Sequence, residues 1–376
     1  MTADILLVDH HCHGVVTDDI ERGAFELLMT ESAHPAPRGT SHFDAPLGLA
    51  MRRWCAPVLD LEPGVNAGAY LDRRLSLGAA AVNQRLLSAA GLDALVVDTG
   101  HQPAAGTSLA ELAALAGAPA HEVVRIERVA EDVLGQITTP AAYADAFERG
   151  LRARAATAVG LKSIVAYRGG FALATSPVPR AVTAAAERML ARPRPVRLDD
   201  PVLLRFGLDV AGDIAGELGL PVQLHAGYGD DDLQLDQANP LLLTPLIRQY
   251  GERGAPVVLL HCYPYHREAG YLAAVHPHVA FDVGLALPYL GASSATLLAE
   301  ALELAPFGAQ LFSSDAFGLA ELYLVAAALF RRGVRAILGR WVAAGDCSAA
   351  DADKIYASIA ADNARRIYPL AAPDIA

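Results

Sequence analysis

The stretch Val8-Asp9-His10-His11-Cys12-His13-Gly14 ends a short apolar run, Ile5-Leu6-Leu7-Val8, that reads as a buried strand. Alternate residues of a strand share a face, so His11 and His13 project together while His10 and Cys12 point the other way. Two imidazoles side by side at a strand end make half of a metal site. Alone, the pair is a weak signal, because His-x-His arises easily by chance. Its meaning depends on whether the rest of the chain brings further ligands to the same place.

Working outward, residues 18–90 read as mainly helical, with helices at 18–31, 47–54 and 70–90, and a breaker cluster at His34-Pro35-Ala36-Pro37-Arg38-Gly39. This is far more than the usual short connection between a strand and the next helix, so it reads as a helical insertion over one end of the fold. A separate small helical domain is the alternative, but no linker flanks the segment. Beyond it, apolar runs at 94–98, 123–129, 160–167, 221–225, 256–261, 279–283 and 310–315 read as strands. Helical stretches at 140–156, 178–190, 199–218, 240–250, 267–274, 295–304, 319–331 and 349–367 are interleaved with them or close the chain. Counting the first, there are eight strand candidates. Apolar strands alternating with helices imply a parallel sheet buried on both faces. Eight such units predict a (β/α)8 TIM barrel, with residues 1–376 as one domain and 18–90 inserted within it. A doubly wound open sheet is the alternative; it lacks the G-x-G-x-x-G turn that a dinucleotide would need.

Composition narrows the function classes. The chain of 376 residues carries a net charge of -12, which argues against nucleic acid or an anionic membrane surface as partner. Hydrophobic residues make up 53%, yet no apolar run approaches the ~20 residues of a membrane span. The first residues lack the pattern of a signal peptide, so a cytoplasmic protein is expected. Cys12, Cys55, Cys262 and Cys347 are scattered and read as reduced thiols. A small-molecule substrate is the expected partner; self-association into a homo-oligomer is left open.

In a barrel the strand C-termini converge on one face, where the active site lies. Polar residues at those ends are therefore the ones to compare. His11 and His13 close the first strand, Lys162 sits in the fourth, His225 closes the fifth, His261 the sixth and Asp315 the eighth. One histidine in such a place is more often a satisfied core residue. Three strand ends with His and one with Asp point to a shared metal site, since imidazole and carboxylate are normal zinc ligands.

The runs V-D-H-H-C-H, G-L-K-S-I-V, P-V-Q-L-H-A-G, V-V-L-L-H-C and L-F-S-S-D, with the closing Asp362-Asn363-Ala364-Arg365-Arg366-Ile367-Tyr368, resemble the amidohydrolase superfamily over nearly the whole chain. Residues 225–230 and 263–271 are similar to the branch fused to glutamine synthetase in fungal and plant nodulin-like proteins. No synthetase domain follows here, so a stand-alone member is expected. The resemblance implies that His11, His13 and Asp315 hold the more buried metal. It implies that Lys162 becomes a carbamate bridging two metals, and that His225 and His261 bind the second. In one-metal members His225 joins the first site and His261 is a catalytic group near the substrate oxygen. Two ions are expected, with zinc as the metal and manganese or another divalent ion as alternatives. For Lys162 the competing reading is a structural ion pair with Glu127, since buried lysines usually need such a partner.

The implied chemistry is hydrolysis. A divalent ion brings the pKa of water toward ~7. Asp315 can hold that water and take its proton as general base. The metal, or a free His261, polarises the scissile carbonyl. Cleavage of an amide or related C–N bond of a small, carboxylate-bearing substrate is the expected reaction, glutamyl-like amides being suggested by the synthetase-fused relatives. A metal-dependent decarboxylase is the second reading and a catalytically silent regulatory protein the third.

Further residues are candidates for reading the substrate. Arg168, beside Tyr167, could clamp a carboxylate or be a surface cation. The loop Asp230-Asp231-Asp232 could bind an amine, although two of the three are expected to cap a helix. Tyr265 and Arg267 lie on the active face with Glu268, and Asp98 and His101 are similar candidates. His276 and His278 precede the seventh strand and fall on the opposite face. His34 and His42, within the insertion, suit a lid better than a ligand set.

Overall fold

Residues 5–370 are described in a computed structural model. Seven strands form one sheet in sequence order: β1 (Leu7–Cys12), β2 (Leu92–Asp98), β3 (Ala120–Arg125), β4 (Gly160–Ser163), β5 (Val222–Ala226), β6 (Val257–His261) and β7 (Val279–Phe281). Every neighbouring pair is parallel. Between β1 and β2 the chain passes through α1 (Arg22–Leu27), α2 (Pro46–Trp54), α3 (Ala67–Leu77) and α4 (Ala79–Ala90). After β2 comes α5 (Leu109–Ala116); after β3 come α6 (Ile126–Gln136) and α7 (Tyr143–Ala155). Then α8 (Pro179–Leu190) and α9 (Pro201–Leu218) follow β4, α10 (Thr244–Glu252) follows β5, and α11 (His266–Val275) follows β6. After β7 the chain runs through α12 (Ala286–Leu290) and α13 (Ser294–Ala301), and ends with α14 (Ala320–Ala344), α15 (Ala349–Ala357) and α16 (Asn363–Ile367).

The expected eighth strand, 310–315, is not a regular strand, so the sheet has seven. The segment nevertheless bridges the two edges. Leu311 N donates to Phe281 O at 3.1 Å, while His10 N donates to Phe312 O at 3.2 Å and Asp315 N to His11 O at 3.0 Å. The ladder is broken because side chains take over its partners. The Asp9 carboxylate accepts from both the N–H and the hydroxyl of Ser314. Asp315 then adopts a left-handed φ of 48°, which no strand continues through.

Strand alternation sorts the apolar residues into two cores. Leu95, Val97, Val124, Leu161, Val222, Leu224, Val257 and Leu259 pack outward into the large core shared with the helices. Val8, Ala94, Val96, Val123, Val258, Leu260 and Ala280 form a second, inner cluster with Leu311, Ala364 and Tyr368. Both faces of the sheet are therefore buried, as parallel sheets require.

Several local expectations change. Residues 123–129 are not one strand: β3 ends at Arg125 and α6 begins at Ile126. Ile126, Val129, Ala130 and Val133 are buried at helical spacing, and that stripe outweighs the β-branched composition. β4 stops at Ser163, because Ile164 N donates to Glu127 and Val165 N to the Ser163 hydroxyl instead of to a neighbouring strand. Of the helix expected over 18–31, only Arg22–Leu27 forms. Among the described residues no helix is long and apolar enough to cross a membrane. All four cysteines are free.

Candidate metal and substrate site

The strand that carries the His-x-His pair does not alternate cleanly. Its pairing with β2 shifts register between Asp9 and Cys12. As a result His10 does not point away from the site's side, as alternation predicted. Its Nδ1 lies 3.0 Å from Tyr368 Oη and its Nε2 3.0 Å from Asp282 Oδ2, within the inner layer below His11. A strict pleat would also send His261 outward with Val257 and Leu259. Left-handed φ values at His261 (72°) and Cys262 (47°) turn it inward, and its ring centroid lies 5.3 Å from that of His11 and 4.7 Å from that of His225. Such conformations cost about 1–3 kcal/mol each and cluster at functional sites.

The residues expected as ligands converge. His11 Nε2 and His13 Nε2 lie 3.2 and 3.3 Å from Asp315 Oδ1, and His261 Nε2 lies 3.3 Å from Asp315 Oδ2. Lys162 Nζ sits 3.1 Å from His11 Nε2. The far ring nitrogens are already committed. His11 Nδ1 is 2.8 Å from Gln223 Oε1, and His13 Nδ1 is 3.2 Å from each of the carbonyls of Asp98 and His101. Those oxygens can only accept, so Nδ1 carries the proton and Nε2 presents a lone pair. Lone pairs of His11 and His13 thus face a carboxylate oxygen that has no hydrogen-bond donor of its own. Three acceptors converging without a proton between them fit a cation. Their spacing of 3.2–3.3 Å is close to the ~3.4 Å between ligand atoms of a tetrahedral zinc with ~2.1 Å bonds. His11, His261 and Asp315 form one group able to hold an ion; His11, His13 and Asp98 form another. His225 Nε2 is buried without a partner, as a vacant ligand atom would be.

Electrostatics match. Burial opposes charge on Asp315, but the imidazoles of His261, His11 and His13 outweigh it and hold the carboxyl well below the usual carboxylate range. Burial, then the Lys162 ammonium, pushes His11 down to about 3. Burial, then His261 and Lys162, pulls His225 well below an ordinary imidazole. Lys162, fully buried, is pushed down to about 8 mainly by desolvation. The imidazoles of His11 and His225 are therefore neutral and the aspartate ionised at neutral pH, the forms in which each ligates. The pairing of Lys162 with Glu127 does not occur: Glu127 accepts from the Ser163 hydroxyl and Ile164 N instead.

Above this set opens a cavity of about 540 Å³. Its wall includes His13, Lys162, His225, His261 and Asp315, with Tyr167, Arg168, Asp230 and His101 from the sequence candidates. Asp98 lies beneath, bound by Arg125 at 2.6 Å. Tyr265 and Arg267 are not part of the wall; Arg267 is exposed and engaged by Glu300 and Glu303. The acidic loop caps no α-helix. The next helical turn begins at Leu235, Asp232 pairs with Arg197 at 2.7 Å, and Asp231 stands 3.9 Å from the exposed His34. His278 contacts Ile247 O, away from the cavity.

Sequence reasoning missed four contributors. Gln223 orients His11 and also donates to His10 O and Tyr368 Oη; it precedes His225 by two in β5, so the same alternation would have found it. Asp282 accepts from His261 N, Gly284 N and the Ser313 hydroxyl. Glu31 and Tyr289 enter the cavity wall from segments with no motif of their own.

The family model described as Amidohydrolase matches residues 8–370. The chain is 34% identical over 281 residues to Protein fluG of Emericella nidulans; the match covers 66% of this chain and 32% of that protein, so this sequence spans about a third of the curated relative. A solved structure from Lactobacillus casei ATCC 334, assigned as a metal-dependent hydrolase, superposes with a TM-score of 0.86 at 29% identity, over 96% of this chain and 95% of that one. The uronate isomerase of Thermotoga maritima shares the fold, with a TM-score of 0.65 at 14% identity over 97% and 95% of the two chains.

Proposed function

The chain belongs to the amidohydrolase family, and from that premise we propose that it hydrolyses an amide or related C–N bond of a small, carboxylate-bearing substrate with the help of divalent metal. The observation that carries the reading is the convergence of His11 Nε2, His13 Nε2 and Asp315 Oδ1, with both Nδ1 atoms already engaged by acceptors. These three would hold an inner ion; His225, His261 and Lys162, as its carbamate, would hold a second, and zinc suits the donor set. Such ions supply Lewis acidity, bringing the pKa of water toward ~7 and polarising a carbonyl.

The chain's own groups do the rest. Asp315 is ionised, sits within reach of three imidazoles, and lines the cavity, so it orients the attacking water and takes its proton. It returns that proton to the leaving nitrogen. His261, held at its backbone by Asp282, serves as a ligand with two ions bound; with one ion it would instead be free to stand beside the carbonyl oxygen where negative charge develops. Tyr167, with its ring 4.6 Å from that of His225, and Phe317, stacked on His101 at 4.4 Å, wall the reacting bond from bulk water.

The test combines metal analysis of the purified chain with turnover of a panel of amides, esters and aromatic carboxylates. Two ions per chain, a carbamylated Lys162, and amide hydrolysis that falls about 10²–10⁴-fold in Asp315→Asn are expected. No amide turnover sinks the reading. One ion, an unmodified Lys162 and release of carbon dioxide from a carboxylate would replace it with decarboxylation.

A further inference from the structure

The cavity carries two charged walls that do not neutralise each other. On one side Glu31, from the turn after α1, meets Asp230, from the loop after β5. Burial, then contact with the Asp230 carboxyl, pushes the Glu31 carboxyl well above its ordinary range, and Tyr289 donates a hydrogen bond to it. Among the described residues neither carboxylate has a basic partner. The neighbouring acids do: Asp232 is taken by Arg197, and Asp231 faces His34.

On the other side stands Arg168, whose side chain is only 12% exposed. Its ion-pair partner, Glu131, is 3.5 Å away, Glu127 acts on it from further off, and its Nε is buried with no acceptor. Burial and the adjacent Arg197 guanidinium both work against its charge. By contrast Arg125, also in the wall, is fully engaged by Asp98. Tyr167 spans the two sides. It precedes Arg168 in the chain, and its hydroxyl accepts from Asp230 N at 3.3 Å.

We propose that the cavity is built for a zwitterionic substrate: Glu31 and Asp230 receive an ammonium group, and Arg168 a carboxylate, of one small molecule whose scissile bond lies at Asp315. This deepens the hydrolase reading and rests on it for the reacting end. A half-buried carboxyl in contact with a second carboxyl at the cavity mouth is favoured by a shared proton or a cation between them, and the Arg168 guanidinium, held by Glu131 at one nitrogen only, keeps its Nε open to an acceptor. A primary ammonium and a carboxylate supply both. The volume of about 540 Å³ is that of a small-molecule site.

Three phenyl ethers that resist hydrolysis test this by calorimetric titration of the metal-loaded full chain. 2-Amino-5-phenoxypentanoate carries both charges, 5-phenoxypentanoate lacks the ammonium, and 4-phenoxybutylamine lacks the carboxylate. The zwitterion is expected to bind about 10- to 100-fold more tightly than either, the worth of one charged hydrogen-bond set. Glu31→Gln, or Asp230→Asn if the first variant melts early, removes the advantage over 5-phenoxypentanoate alone. Arg168→Met removes the advantage over 4-phenoxybutylamine alone. Equal binding of all three ethers, no binding of the zwitterion, or a uniform loss in Glu31→Gln overturns the proposal. If zwitterion selectivity holds without metal-dependent amide hydrolysis, the hydrolase reading falls and this one stands. If neutral amides turn over while the ethers bind alike, the reverse is true.

Discussion

Lys162 Nζ lies 3.1 Å from His11 Nε2, so the one side-chain amine in the site among the described residues abuts the ligand that both metal groupings share. Burial disfavours its ammonium form and brings its pKa down to about 8, although Asp98 and Asp315 pull the other way. Only the neutral amine can add to carbon dioxide, forming an N–C bond and releasing a proton. Below about pH 8 the neutral fraction falls roughly tenfold per unit. Chelator-stripped protein given zinc and bicarbonate should therefore acquire its second ion faster as pH rises through that value, and Lys162→Met should stop at one ion. Metal content followed over time by mass spectrometry measures both. A loading rate that is flat from acid to alkaline pH would remove the carbamate from the account.

Gln223 holds His11 in the tautomer that ligates, through the 2.8 Å contact between Oε1 and Nδ1. Gln223→Leu keeps the volume and deletes that acceptor. Groups that orient a metal-binding histidine are worth about 10–100-fold in metal affinity. Zinc affinity measured by chelator competition should drop by that factor. Stability should fall too, by about 1–3 kcal/mol, because His10 O loses its buried donor.

Tyr368 separates those two effects. Its hydroxyl meets Gln223 Nε2 at 2.9 Å and His10 Nδ1 at 3.0 Å, at the floor of the inner core. Tyr368→Phe leaves both without that partner but does not touch the contact between Gln223 and His11. Urea unfolding should show a loss of about 1–3 kcal/mol, while zinc affinity stays within a few-fold of the parent. Equal losses of affinity in Tyr368→Phe and Gln223→Leu would mean that the floor, and not the tautomer, sets the site.

These contrasts also show what a single sequence discloses. His11, His13, Lys162, His225, His261 and Asp315 were legible because each interrupts an apolar run at its C-terminal end, where parallel strands converge. Their placement was legible too, although for His261 and Asp315 it depends on left-handed backbone that no pattern announces. The capping box of Ser108 and Glu111 and the glycine at 117 are local signals that mark the two ends of α5. Glu31 and Asp282 could not be read, since their roles come from contacts with residues far away in the chain. The break in the eighth segment has the same origin: the Asp9 side chain displaces main-chain partners of Ser314.

The segment between β1 and β2 is anchored to α14 by a buried triad. Glu321 Oε1 accepts from Arg74 Nε at 2.9 Å and from the Tyr70 hydroxyl at 3.1 Å, with the Arg74 and Glu321 side chains 1% and 0% exposed. Arg74 and Tyr70 lie four apart on one face of α3, and the Arg74 guanidinium also stands 5.1 Å from the Phe25 ring centroid. Removing one member of a buried ion pair strands the other charge, at a cost of about 3–5 kcal/mol, whereas replacing both with apolar groups is often close to neutral. Arg74→Met should therefore lower stability by that amount, and Arg74→Met with Glu321→Met should recover much of it. Denaturant unfolding of the two variants decides the matter. If the double variant is less stable than the single, the pair contributes net attraction beyond its desolvation cost. Because the turn bearing Glu31 lies in the same segment, the single variant should also weaken zwitterion binding, through disorder of that wall, while the six expected metal ligands keep their ions.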